Sequence, residues 1–200
     1  MKHYYTKISG YFNTSQKLIY TNQVKQAKDG FHFVEIGSWK GRSSSFMGVE
    51  IINSGKKIKF DAIDTWLGSS EHQRNSSVKN GTLYDEYLTN IKPVRHIVNP
   101  IRMKSIDASK LYEDNTLDFV FIDAGHEYEF VKEDIEHWLP KVCDGGILAG
   151  DDWGLGSRWG DGVKRAVTEI IKKPIIDRET WKLPFRTLPL LPAPTIVYAP

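Results

Sequence analysis

The sequence predicts an α/β fold built on a doubly wound, mostly parallel sheet with helices on both faces. Three observations carry this. Apolar runs of strand length alternate with segments of helical periodicity. The first apolar run opens into a glycine turn that starts a helix. Two later runs end in acidic loops, Asp123-Ala124-Gly125-His126 and Asp151-Asp152-Trp153. The 200 residues suit one domain, 1–200, able to bury roughly 70% of its unfolded surface.

In order along the chain, Ser15 to Lys28 reads as a helix on the outside of the domain, ended by Asp29-Gly30; residues 1–30 form an N-terminal helical cap. Phe31 to Glu35 reads as the first buried strand. Ser43 to Asn53 places Phe46, Val49 and Ile52 on one helical face, with Gly55 as its stop. Ile58 to Ile63 is the second strand, ending at Asp64. The polar stretch Gly68 to Gly81 is long for a compact domain, so 68–82 is a candidate lid. Leu83 to Ile91 resumes helical spacing, and Arg95 to Val98 reads as a third strand. Leu117 to Ile122 is strand four. Tyr128 to Leu139 is a helix with Val131, Ile135, Trp138 and Leu139 on one face, closed by Pro140 and Gly145-Gly146 before strand five, Gly146 to Ala149. Asp161 is expected to cap a helix with Val163, Ala166, Val167, Ile170 and Ile171 inward. Residues 154–200 form an acceptor-side loop, this helix and C-terminal strands, the last candidate being Thr195 to Tyr198.

Bulk properties exclude some classes. A net charge of +2 gives no electrostatic case for nucleic acid or an anionic membrane. The single cysteine, Cys143, allows no internal disulfide and fits a reducing, cytoplasmic location. No run approaches the roughly 20 apolar residues that span a bilayer.

The first strand runs into Glu35-Ile36-Gly37-Ser38-Trp39-Lys40-Gly41-Arg42-Ser43. Gly37 and Gly41 let the backbone turn tightly beside a ligand, and the following helix offers free N–H groups. The dinucleotide spacing G-x-G-x-x-G is missing, because Trp39 stands at the second glycine. A carboxylate here suits a ligand with a cationic end, such as S-adenosylmethionine, and Asp64 suits its ribose hydroxyls. A plain strand-turn-helix junction would carry the same glycines without a ligand. Asp123, Asp151 and Asp152 converge at strand ends and would repel one another unless a cation sat between them. All-oxygen ligation suits Mg²⁺ or Mn²⁺. A helix cap or solvated turn is the simpler use of Asp151-Asp152 taken alone. Tyr128 and His137 read as packing residues of their helix. Trp153, Trp159 and Trp181 suit either packing or an acceptor pocket, and 154–160 reads as a mobile loop over the site.

These residues resemble a known family. The loop from Glu35 to Ser43 is similar to the E-x-G-x-(bulky)-x-G-x-S loop of the metal-dependent class I O-methyltransferases, the catechol O-methyltransferase group, where an aromatic replaces the second glycine. Asp151-Asp152 follows Asp123 by 28 positions, as in that group's metal triad. Asp123-Ala124-Gly125-His126-Glu127-Tyr128 resembles the macrocin O-methyltransferase and cephalosporin hydroxylase-like branch. The resemblance covers about residues 31 to 172. It implies a Rossmann-like sheet of about seven strands. It also implies S-adenosylmethionine bound by Glu35, Gly37, Ser38, Trp39, Gly41, Ser43, Asp64, Ser105 and Asp123. Mg²⁺ or Mn²⁺ would be held by Asp123, Asp151 and Asp152, and His126 would be the general base. Of the third cofactor motif, usually Gly-Asp-Ser, only Ser105 of Met103-Lys104-Ser105 matches.

The expected activity is methyl transfer to a hydroxyl of a small acceptor, a sugar or glycosylated metabolite or other natural product. Nucleic acid and membrane are not expected partners, and oligomeric state, a homo-oligomer included, stays open. The alternatives are a cofactor-binding protein without transferase activity and a methyltransferase that uses no metal. The amino-directed nucleic-acid methyltransferases are disfavoured because the loop after strand four reads Asp123-Ala124-Gly125-His126, and no iron triad is evident.

Overall fold

The computed structural model describes residues 1–154 and 161–183, the side chains of Ser70 and Glu71 excepted. Helix α1 spans Thr14–Gln26, followed by strand β1 (His32–Ile36), helix α2 (Arg42–Ser54) and strand β2 (Lys59–Asp64). Two short helices, α3 (Ser76–Lys79) and α4 (Leu83–Asn90), precede β3 (Val98–Arg102) and α5 (Ser105–Ser109). Then come β4 (Leu117–Ile122), α6 (Tyr128–Trp138), β5 (Val142–Gly150), α7 (Gly162–Ile170), β6 (Ile175–Asp177) and β7 (Thr180–Lys182).

The seven described strands form one sheet in the order β3-β2-β1-β4-β5-β7-β6, the doubly wound arrangement expected from the sequence. β1 to β5 pair in parallel; β7 runs antiparallel to both its neighbours, so it alone opposes the rest. The order reverses between β1 and β4, which opens a crevice beyond their carboxyl ends.

Side chains alternate between the two faces of each strand. Phe33, Phe60, Phe119, Phe121 and Ile147 face α1, α2 and α4, where they pack on Tyr20, Val24, Met47 and Tyr87. Val34, Ile63, Val120, Ile122 and Leu148 face α6 and α7, against Val131, Ile135, Trp138, Val163 and Val167. The same parity puts Glu35, Asp64, Asp123 and Asp151 toward the α1 face.

Several elements depart from expectation. β3 lies at Val98–Arg102, sharing only Val98 with the expected range, and contains Pro100. As the edge of the sheet it loses no ladder hydrogen bond on its open side, so the proline is tolerated. The stretch read as a candidate lid, 68–82, carries a 3-10 turn, Ser70–Arg74, and α3. Asp161 stands at the N-cap of α7 without a capping hydrogen bond; its carboxylate instead approaches Arg165 at 3.7 Å. The expected strand Thr195 to Tyr198, Trp159 and residues 155–160 of the expected loop lie outside the described residues. Among the described residues no helix is long and apolar enough to cross a membrane.

Candidate active site

Backbone bonds extend the parallel ladder one rung into the loops. Gly37 N donates to Ile63 O at 2.9 Å, Asp123 N to Ile36 O at 2.8 Å, and Asp151 N to Ile122 O at 3.1 Å. The glycine turn, Asp123 and Asp151 are therefore fixed by the sheet. Gly37 has φ of +88°, and a Cβ there would lie 2.0 Å from the Asp123 carbonyl oxygen. Only glycine lets the β1 and β4 loops meet so closely.

A cavity of about 540 Å³ opens at this point. Gly37, Trp39, Asp64, Ser105 and Asp123 line it, as do His72, Phe130 and Asp134, which the sequence did not single out. Trp39 holds the left-handed φ of 45° and stacks on His72 with centroids 3.9 Å apart. The Trp66 indole donates to Trp39 O at 2.8 Å, closing the turn from the β2 side. Asp64 Oδ2 accepts from the backbone N–H groups of Ser38 and Trp39 at 3.0 and 2.8 Å, and Oδ1 from Trp66 N at 2.8 Å. Burial raises the pKa of its carboxyl against the lowering effect of these donors. Asp64 thus organises the glycine turn from within the cavity wall.

Glu35, Ser38, Gly41 and Ser43 were expected at the cofactor, but they are not among the residues lining the cavity. Glu35 is fully buried and accepts from Tyr20 Oη at 2.8 Å and from Ser44 Oγ. Burial pushes its pKa up. Its carboxylate ties α1 and α2 to β1, a position set by the strand alternation that places it beside Phe33. Gly41, with φ of +84°, begins α2.

The acidic loops meet at the other end of the crevice. Asp123 has a pKa raised well above the ordinary carboxylate value, by burial first and then by Asp151 and Asp152. Asp151 is pushed up to about 7 by burial and by Asp152. Two neutral amides of α1 meet these groups. Gln16 Nε2 donates to Asp123 Oδ2 at 2.9 Å, and Asn13 Nδ2 lies 3.3 Å from both oxygens of Asp151 and 2.9 Å from Glu179 Oε2. Both residues form the capping box of α1, Asn13 Oδ1 accepting from Gln16 N and Gln16 Oε1 from Asn13 N. The cap consumes their amide oxygens and leaves the NH₂ groups to the carboxylates. Sequence reading missed both. The Asn-x-x-Gln spacing signals a cap, but not what the cap would touch.

Asp152, in the left-handed region with φ of 67°, turns to His126. His126 Nε2 and Asp152 Oδ2 are 2.7 Å apart. Gly162, at the start of α7, packs against this loop so closely that a Cβ would lie 2.5 Å from the His126 carbonyl oxygen. The Trp181 indole, buried under β5, donates to Asp151 O at 3.2 Å and fixes the loop from β7; this is packing, one of the two uses open to it in the sequence. Among the described residues no group of three His, Cys, Asp or Glu side chains is gathered to hold a metal ion. The expected triad is thus present as neighbours in charge but not assembled, because Asp152 is engaged by His126 and the other two by amides. Tyr128 and His137 serve packing, as expected: Tyr128 Oη bonds Glu169 on α7, and His137 Nδ1 bonds Glu133 O within α6.

Chemically, the crevice joins a nucleoside-sized cavity bearing Asp64 to a carboxylate cluster with an imidazole. Known proteins resemble this chain in sequence or in fold. An uncharacterized protein of Acanthamoeba polyphaga mimivirus is 29% identical over 148 residues, 72% of this chain. The chain spans 61% of that relative's length. The structure of the O-methyltransferase NovP superposes with a TM-score of 0.60 at 18% identity, covering 84% of this chain and 78% of that one. The O-methyltransferase TomG from Streptomyces achromogenes gives 0.57 at 15% identity, covering 86% and 79%. These likenesses are of fold. The model of the family described as a methyltransferase domain matches residues 34–153, from β1 through both acidic loops, and the chain belongs to that family.

Proposed function

We propose that the protein transfers a methyl group from S-adenosylmethionine to a hydroxyl of a small sugar-like or natural-product acceptor. The observation that carries this is the His126–Asp152 pair, 2.7 Å apart, on the two loops that carry Asp123 and Asp151, with Asp123 itself lining the cavity. The TomG structure, whose fold this chain shares, is a complex with the same cofactor. Asp64 and the Gly37 turn would hold the nucleoside with its methionine end toward Asp123.

Methyl transfer is an in-line displacement, so the protein must position and deprotonate the acceptor. The hydroxyl oxygen forms the new C–O bond as the C–S bond breaks, its electron pair staying on sulfur. The hydroxyl proton passes to the His126 imidazole, and Asp152 Oδ2 stabilises the imidazolium that forms. Asp123 and Asp151 suit a hard divalent cation in kind. They are oxygen donors whose pKa values are raised by burial first and then by neighbouring negative charge. Mg²⁺ there, joined by Asp152 if it leaves His126, would lower the pKa of the acceptor hydroxyl. Transfer without metal is the second reading, favoured by the engagement of Asp152 with His126.

Calorimetry with S-adenosylmethionine, with and without Mg²⁺, tests the proposal. Cofactor binding strengthened by Mg²⁺ is the expected result. Binding indifferent to Mg²⁺ selects the metal-free reading, and no binding in either condition ends both.

A further inference from the structure

The cavity extends from Gly37 and Asp123, past Asp64, to a wall where the start of α5 meets α6. Ile63, Met103, Ile106 and Phe130 make that wall largely apolar. One charged group is buried in it. Asp134 is 5% exposed, lines the cavity and sits on the inward face of α6 between Val131 and Ile135. Its carboxylate hydrogen-bonds the Ser105 hydroxyl. That hydroxyl accepts the Trp138 indole N–H at 2.8 Å, so its one proton is directed to Asp134. Two carboxylate oxygens offer about four acceptor sites, and one hydroxyl cannot fill them. A buried carboxylate left short of donors is costly, so this wall is built for a ligand that brings an N–H.

We propose that Asp134 accepts a hydrogen bond from the exocyclic 6-amino group of the cofactor's adenine and so determines the nucleobase the pocket takes. This rests on the S-adenosylmethionine reading above. If the methionine end lies at Asp123 and the ribose at Asp64, the base lies against the α5–α6 wall. Its flat faces meet Ile63, Ile106 and Phe130, and its amino edge meets Asp134. Lys104 stands where the expected Gly-Asp-Ser motif would put an acid, and Asp134 supplies a carboxylate from a different helix. A 6-oxo purine would turn a carbonyl oxygen, another acceptor, toward the same carboxylate and be repelled.

The test compares S-adenosylhomocysteine with its 6-oxo analogue, S-inosylhomocysteine, by calorimetry on the full chain. The wild-type protein is expected to prefer the adenine ligand by roughly 10- to 100-fold, the range expected for leaving a buried polar group unmatched. Asp134→Asn keeps an acceptor for the amine and adds a donor for the 6-oxo group, so the preference should fall to within about threefold. Glu136→Gln, at an exposed acid of α6 outside the cavity lining, should leave the preference intact. Equal wild-type affinities, or an undiminished preference in Asp134→Asn, would overturn the assignment while the cofactor reading stands. Failure of the wild-type protein to bind S-adenosylhomocysteine at all would overturn both.

Discussion

At the scale of single residues, the site separates groups that look alike in sequence. Asp123, Asp151 and Asp152 are carboxylates of two short acidic loops, yet two face α1 amides and the third faces His126. If His126 takes the acceptor proton, His126→Ala should lower turnover by about 10²- to 10⁴-fold while cofactor affinity holds; equal turnover in a methyl-transfer assay would remove it as the base. Asp134 carries a second prediction at this scale, now about stability. Burial raises its pKa from 3.8 to about 6. A carboxyl whose folded pKa exceeds its unfolded value favours folding below the unfolded pKa, and that contribution is lost as pH rises through the folded one. Asp134→Asn removes the ionisation and should raise stability at pH 7.5 by about 1–3 kcal/mol. At about pH 3, below the unfolded pKa, Asp134 is protonated in both states and the two proteins should melt together. Thermal unfolding at both pH values checks this, and equal shifts at both would refute it.

At the scale of elements, what was legible follows from packing. β1, β2, β4 and β5 are buried on both faces and show as apolar runs. β3 is an edge interrupted by Asn99 and Pro100, so the apolar pattern placed it too early. β6 and β7 have three residues each and show no period. The acids and His126 were legible because their chemistry is confined to short loops. Asn13 and Gln16 were not, because they are neutral residues whose partners lie more than a hundred positions away. Their helix supports a third prediction. The α1 cap sets two NH₂ groups and a helix N-terminus against Asp123 and Asp151, so donors and a positive dipole end meet the two carboxylates. The variant Asn13→Ala, Gln16→Ala should lose about 1 kcal/mol or more of stability without metal, from the cap alone. It should also bind Mg²⁺ more tightly than the wild-type protein, because the cation no longer competes with the amides. Unfolding melts and a Mg²⁺ titration by calorimetry read the two effects separately; unchanged or weaker Mg²⁺ affinity would show that the amides do not occupy the cation's place.

At the scale of the whole molecule, the crevice lies where the strand order reverses, so its walls come from elements on both sides of the switch between β1 and β4. Asp64 and the Gly37 turn belong to the β1–β2 side, and Asp123, Phe130 and Asp134 to the β4–α6 side. A ligand spanning the cavity bridges both, so its binding free energy should appear in global unfolding and not only in loop order. S-adenosylhomocysteine at about 100 times its Kd should add about 2.7 kcal/mol of stability. For a chain of 200 residues that corresponds to a rise in Tm of roughly 5–11 °C. Hydrogen exchange should slow together in the turn after β1, the end of β2 and the first turns of α6. A Tm rise with protection confined to the β1–β2 side of the switch would mean that the ligand occupies only part of the cavity, and it would remove Asp134 from contact with the base.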